Sequence, residues 1–519
     1  MSMQRQAQDR AKCCCTKVGL GGKMDSYGMI ASRLKGEDPP CQRDDDSQGC
    51  EIEIYSGPSL PEDIWHHIYS LVPMRDAARV ACVSRAFLRS WRCHPNLTFT
   101  EETFRSNKDA CGEDETARDL CSTFDHILKR HSGIGVKTLN INMFIGRNAK
   151  QSCYLNSWLE IAVIPGIEEL SVSVPMMTKH EFPYSLLSNG SGDSIRSLVL
   201  NGCSFHPTSE LGLLRRLTRL HLRSVRITGD ELGILLSNSL ALERLEVIAC
   251  DKLVCLKVPR RLHRLSYLNV DGCGMLKLID SGASNLSCFV FAGDRRVKLS
   301  LGETLQMKNL DLFSRNMVCY ARVHIPLSMP NLETLTIYSR MEVANTPMLP
   351  SKFLRLKYLF IALNGRSFSP NYDYFSLVSF LDACPSLEVL VLDVKQRGIE
   401  HVSIFEDPSD MRQMREQRHH NLKSMRIVGF SSTKSLVELT CHVVESTRSL
   451  ECLVLQAYHS PFMCSEPHNK SGKCSSLPME VIVEARRGIL AIKTYIEPKV
   501  PPTVKLHVVE LCSCHAIEL

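Results

Sequence analysis

The sequence predicts an α/β protein: a short N-terminal module of three helices, then a solenoid built as a curved parallel sheet with irregular helices and loops on its convex side. An L-x-x-L-x-L pattern recurs along most of the chain, at spacings of roughly twenty to twenty-five residues where it is clearest. A stretch near the N-terminus instead places its apolar residues at helical spacing. At 519 residues the chain is too long for one core, which calls for several domains or an array that grows without a single centre.

Composition narrows the function classes. Hydrophobic residues make up 44% and charged residues 23%, the balance of a globular protein, and no apolar run reaches the ~18 residues of a membrane helix. The opening MSMQRQAQDR has no apolar signal core and no glycine at position two, so the expected location is nucleus or cytoplasm. The 23 cysteines follow no spacing framework and are expected to be reduced and mostly buried. Without a secretory signal, the N-x-S/T matches at Asn96, Asn189, Asn285 and Asn469 are chance. A net charge of +6 argues against a dedicated nucleic-acid binder.

Residues 1–56 are polar and patternless, with Cys13, Cys14 and Cys15 in a row and an Arg43, Asp44, Asp45, Asp46 cluster. They lack the apolar surface to offset ordering entropy, so a disordered leader is expected. The pattern changes over 57–99. Pro61 suits a helix start, Glu62 and Asp63 complement its dipole, and Ile64, Ile68 and Leu71 share one face. Pro73 ends that helix and Asp76 is placed to cap the next. Ala77, Ala78, Val80, Ala81 and Val83 then give a face of small residues. Three short helices are small for independent stability, which favours a partner that completes the core.

These residues resemble the F-box: Leu60, Pro61, Asp63, Ile64, Ile68, Leu71, the stretch 79–83, Ser84 and Trp91 stand where that motif has them, with Phe87 where many members carry tryptophan. The resemblance implies binding to the Skp-type adaptor of an SCF ubiquitin ligase, and to a cullin through it. Leu60, Pro61, Asp63, Ile64, Ile68, Leu71, Val83 and Trp91 would be the contact or packing positions. Residues 100–135 read as a helical linker: Phe124, Ile127 and Leu128 share a face, and His131, Ser132 and Gly133 stop the helix. This junction resembles that of plant F-box/leucine-rich-repeat proteins, and the likeness continues to the C-terminus.

The array is assigned to 136–460. Ile195, Leu198, Leu200, Cys203 and Phe205 complete the L-x-x-L-x-L-x-x-C-x-L form of a leucine-rich repeat, and Leu217, Leu220, Leu222, Val225 and Ile227 repeat it. Cys250 and Cys273 end the next two units. Clear copies follow at 332–337, 356–361, 387–392, 422–427 and 450–455, and weaker ones at Val136, Ile167, Leu286 and Met307 bring the total to about a dozen. Cys203, Cys250 and Cys273 are expected to be buried structural thiols near the strand-to-turn step. Residues 461–476 read as a loop and 477–519 as a closing helix and strand, with Gly488 expected to interrupt the helix.

No catalytic constellation appears. There is no C-x-x-C pair to build a zinc-bound RING, GLGGKM lacks phosphate-loop spacing, and no G-x-S-x-G or H-E-x-x-H is present. Cys512, Cys514 and His515 are too close together for an easy tetrahedral site. The chain therefore reads as a non-catalytic adaptor that needs no cofactor or metal. With the motif leucines in the core, the intervening residues face the concave side. Arg219, His221, Arg223 and Arg244 would give it a mainly basic strip for an acidic or phosphorylated protein substrate, and Tyr338, Tyr358 and Phe360 an apolar anchor. Two alternatives stand beside substrate recognition: a scaffold acting outside ubiquitination, and an anionic-ligand or nucleic-acid binder using the basic strip.

Overall fold

Two prolines set the first helices. Pro61 and Pro73 hold φ at −52° and −55° and stand as N-caps of α1 (Glu62–Leu71) and α2 (Met74–Ala81), with Val72 extended before the second proline, as the residue before proline prefers. Asp76 is not the cap: it lies in the first turn of α2 and pairs with Arg79 at 3.2 Å. Helix α3 (Arg85–Trp91) closes the module, with Tyr69, Met74, Ala77 and Ala81 buried. The computed structural model describes residues 61–82, 85–100, 103, 113–132, 135–142, 152–176, 180–188, 190–294, 296–302, 305–364, 372–395, 402–407, 410–412, 419–458 and 478–511. The expected leader at 1–56, Leu60, Val83, Ser84, Gly133, the 461–476 loop, the sequons at Asn189 and Asn469, and Cys512, Cys514 and His515 lie outside the described residues.

The stretch read as a helical module ends in a strand. Residues 96–99, NLTF, alternate polar and apolar side chains, so Leu97 and Phe99 turn inward and β1 (Asn96–Phe99) pairs in parallel with β2 (Thr138–Asn142). Side-chain and backbone bonds bind the helices to this strand. Asn96 Nδ2 donates to Ser70 O at 2.9 Å, buried His94 Nε2–H donates to Val72 O at 3.2 Å, and Ser132 N donates to Arg92 O at 2.8 Å. Helix α4 (Glu113–Arg130) lays Phe124 4.9 Å from the Phe99 ring, and α5 (Ser152–Ala162) adds Trp158 at 5.8 Å from Phe124.

From there each repeat adds one strand to a parallel sheet that has fifteen strands among the described residues. After β1 and β2 come β3 (Glu169–Ser173), β4 (Ser197–Asn201), β5 (Arg219–Arg223) and β6 (Arg244–Ile248). The path then interleaves β7 (Cys255–Val258), β8 (Tyr267–Asp271), β9 (Leu278–Ser281), β10 (Cys288–Ala292) and β11 (Lys298–Ser300). It continues through β12 (Asn309–Arg315), β13 (Thr334–Arg340), β14 (Tyr358–Asn364), β15 (Val389–Lys395), β16 (Ser424–Val428), β17 (Cys452–Gln456) and β18 (Lys505–Val509). Register is strict: Leu198, Leu220, Leu245 and Leu268 stand side by side. Each is fully buried, which stabilises each repeat by roughly 1.5–3 kcal/mol per leucine.

The return paths differ with repeat length. Where the sequence is long, helices cover the sheet: α6 (Gly229–Ser237), α7 (Met317–Ser328), α8 (Val378–Ala383) and α9 (Lys434–Ser446). Thr228 starts α6 with a reciprocal cap, its Oγ1 accepting from Glu231 N at 3.3 Å while Glu231 Oε2 accepts from Thr228 N at 2.7 Å. In the short repeats between β6 and β12 there is room for one extended pass only, and β7, β9 and β11 form a second, three-stranded parallel sheet. Sequence periodicity did not separate these return strands from loops.

Cys203, Cys250 and Cys273 are buried where the motif places them, and the Cys250 thiol donates to Leu222 O at 3.7 Å. Burial pushes the Cys203 thiol up to about 12, so it stays protonated and inert. The closing helix α10 (Met479–Ala491) runs unbroken through Gly488, contrary to expectation. The glycine serves close approach: a Cβ there would sit 2.8 Å from Phe430 O.

Candidate functional site

The three N-terminal helices leave large apolar side chains in water. Leu71 is 72% exposed and Ile64 41%, and Val80 and Leu88 are exposed as well. Pro61 and Asp63 are also exposed, while Ile68 is half-buried. Trp91 sits elsewhere: it is half-buried against the repeat core, with its ring 5.8 Å from that of His94. It therefore belongs to the joint between module and array. Burial lowers the pKa of His94, which favours its neutral form.

On the sheet, alternation puts the motif leucines under the helices and the intervening residues on the open face. The first half of that face is not the free basic strip that the strand positions suggested. Arg219 NH2 donates to Glu169 Oε1 at 3.0 Å, Arg244 Nε donates to Glu246 Oε1 at 2.6 Å, and His221 Nδ1 lies 3.2 Å from Glu246 Oε2. The Arg244 guanidinium also lies 3.7 Å from the centroid of the Tyr267 ring. Burial works to raise the Glu246 pKa, but hydrogen bonds from His221 and Arg244 outweigh it and hold the carboxyl at about 2. Arg223 alone of the four basic positions makes no ion pair among the described residues. The compensating carboxylates lie on the same or nearby strands, and a strand-by-strand count of charge does not pair them.

The second half of the face carries stacked aromatics. Phe313 on β12 and Tyr338 on β13 are cross-strand neighbours with rings 4.2 Å apart and 8° from parallel. Phe360 lies 5.1 Å from Tyr338, tilted by 44°. Only 5% of Phe360 is exposed, so it acts as a floor and not as the free anchor expected of it. Tyr338 and Tyr358 are half-buried on the open side. Phe313 was missed because its unit, beginning at Met307, has a weak motif; the signal was its place directly after the buried Leu310 and Leu312. Ala292 and Ala362 flank the ring pair in register, with Asp271 and Asp393 beyond them. Two residues further along the strands, Arg315 lies opposite Arg340.

Among the described residues no group of three or more His, Cys, Asp or Glu side chains is arranged to hold a metal ion. No described helix is long and apolar enough to cross a membrane.

Residues 58–98 match the F-box domain, and residues 127–513 match the family described as "At1g61320/AtMIF1, LRR domain". The chain belongs to the plant F-box/leucine-rich-repeat family. An FBD-associated F-box protein of Arabidopsis thaliana, At1g66310, is 24% identical over 387 residues, covering 67% of this chain and 79% of the relative. The F-box/LRR-repeat protein At5g02910 of the same plant is 23% identical over 216 residues, 41% of this chain and 42% of the relative. An internalin of Listeria monocytogenes aligns at 13% identity with a TM-score of 0.29, over 66% of this chain and 89% of that one. In this F-box/leucine-rich-repeat protein the F-box match thus spans the three helices and most of the first strand. The repeat match spans the remaining strands of the main sheet.

Proposed function

We propose that this chain is the substrate-recognition subunit of an SCF-type ubiquitin ligase, a non-catalytic adaptor acting in the nucleus or cytoplasm. Its F-box binds the Skp-type adaptor, and a cullin through it, while the repeats hold a protein substrate. One observation carries the reading: the F-box helices bury Tyr69, Met74, Ala77 and Ala81 but leave Ile64, Leu71, Val80 and Leu88 in water. Large apolar side chains left in water on so small a module are what a partner subunit covers. Hydrogen bonds from Asn96 and His94 tie the module to the first strand, which favours a defined position for a substrate held by the repeats. Rate enhancement then comes from raised effective concentration beside the ubiquitin conjugate, with the bond chemistry performed by other subunits.

The test is co-purification of the full-length chain with a Skp-type adaptor and a cullin. Ile64→Asp with Leu71→Asp removes apolar contact worth roughly 1.5–3 kcal/mol per side chain and buries a charge. Adaptor capture is expected to vanish while the thermal unfolding of the repeats is unchanged. Adaptor capture that survives both substitutions overturns the docking assignment. Adaptor bound without cullin points to a scaffold acting outside ubiquitination.

A further inference from the structure

The open face of the sheet holds a row of cations that are not closed into ion pairs: the field of Arg340 reaches Asp271 and that of Arg315 reaches Asp294, but neither arginine pairs with the carboxylate. Arg315 and Arg340 are exposed and stand directly opposite each other on paired parallel strands, with Lys395 two strands further in the same row across Asn364. None of the three makes an ion pair among the described residues, in contrast to Arg219 and Arg244. Like charges facing each other on neighbouring strands repel, a cost that an anion between them removes. Two residues back along the same two strands, on the same face, lies the Phe313–Tyr338 stack, its rings 4.2 Å apart. Its registered neighbours on either side are Ala292 and Ala362, the smallest side chains in that row, with the Phe360 ring 5.1 Å from Tyr338 below.

We infer that this lane, and not the basic strip around Arg219 and Arg244, is the substrate subsite. Its ligand is an extended protein segment with an aromatic side chain next to acidic groups. The ring lies against the Phe313–Tyr338 pair, and the anions meet Arg315 and Arg340. Aromatic anchors with arginine partners are the combination that dominates interface energetics. Guanidinium accepts carboxylate and phosphate in the same forked geometry, so a glutamate, an aspartate or a phosphoserine suits the row. The inference rests on the receptor function proposed above and gives its substrate a chemistry.

The experiment uses purified full-length chain and an array of immobilised peptides with Trp, Phe, Leu or Ala at the centre, flanked by Asp, phosphoserine, Ser or Lys. Best binders are then measured by fluorescence anisotropy. Aromatic centres with anionic flanks are expected to be retained, with affinity falling as salt is raised. Arg315→Ala with Arg340→Ala weakens binding about tenfold or more, as does Tyr338→Ala, while Arg219→Ala changes it less than about twofold. A preference between Asp and phosphoserine supports the proposal and names the anion. Retention that ignores flank charge, or wild-type affinity in the double arginine variant, overturns it. Adaptor capture measured on the same sample separates the two readings: its loss overturns the ligase assignment alone, and lost peptide selectivity with adaptor bound overturns this one alone.

Discussion

Arg244 and Glu246 stand two residues apart on one strand and therefore point the same way, and Arg244 Nε donates to Glu246 Oε1 at 2.6 Å. The His221 ring meets the other oxygen, so both oxygens of this carboxylate are engaged. This pairing turns a strip that looks basic into one that is nearly neutral. Because the folded carboxyl lies at about 2 against an ordinary 4.5, it stabilises the fold above pH 4.5, and the contribution is lost as pH falls through the folded value. Glu246→Gln is expected to cost about 1–3 kcal/mol at pH 7, read from the midpoint of urea unfolding. The gap from wild type should shrink below pH 4.5. An equal midpoint at pH 7 contradicts this assignment.

Arg322 is fully buried in α7 and serves as a cross-brace. Its Nε donates to Ser379 O at 3.0 Å, NH1 to Ser351 O at 3.1 Å and NH2 to Leu349 O at 2.6 Å. Removing it takes a donor from three carbonyls. Arg322→Met is expected to destabilise by about 3–5 kcal/mol. Arg322→Lys should recover little of it, because a point ammonium cannot span three acceptors held by a planar fork. Thermal unfolding of the three proteins checks the ranking.

Acid should loosen this protein as its buried histidines take up protons. Burial lowers the pKa of His94, His131, His180 and His442, and lowers that of His419 to about 4, helped by the fields of His442 and His420. The unfolded chain therefore binds more protons than the fold below pH 6.5, so stability is complete above that pH and is lost as pH falls toward 4. Asp382, 3.9 Å from His419, is raised by burial, so the fold takes up its proton above the ordinary 3.8 and opposes the histidines within the same window. His419→Phe is expected to flatten the fall in unfolding temperature between pH 6.5 and 4, by up to about 3 kcal/mol. A variant with the wild-type slope would remove His419 as a cause.

Gly488 is where α10 meets the chain at Phe430, and a Cβ would stand 2.8 Å from that carbonyl oxygen. Gly488→Ala gains helix propensity of about 1 kcal/mol but overpacks the contact by about 1–3 kcal/mol. Net destabilisation is expected, together with faster hydrogen exchange in β18, which the helix leads into. Faster proteolysis of the C-terminal strand would be the simplest readout, and a stabilised variant would refute the close-approach argument.

The sequence by itself determined the repeat, the face each strand buries and the helical character of the N-terminal module. These are set by spacings of two and 3.6 residues, which depend only on local backbone geometry. It located the structural cysteines for the same reason. Tertiary structure decided which cations are spoken for, because Glu169 and Arg219 are fifty residues apart in the chain and adjacent only through the sheet. It turned Phe360 into a floor beneath Tyr338 and brought Phe313 to the surface of the stack. It also laid β7, β9 and β11 into a second sheet. Pairing, stacking and return paths depend on residues brought together across neighbouring strands, and no local period encodes them.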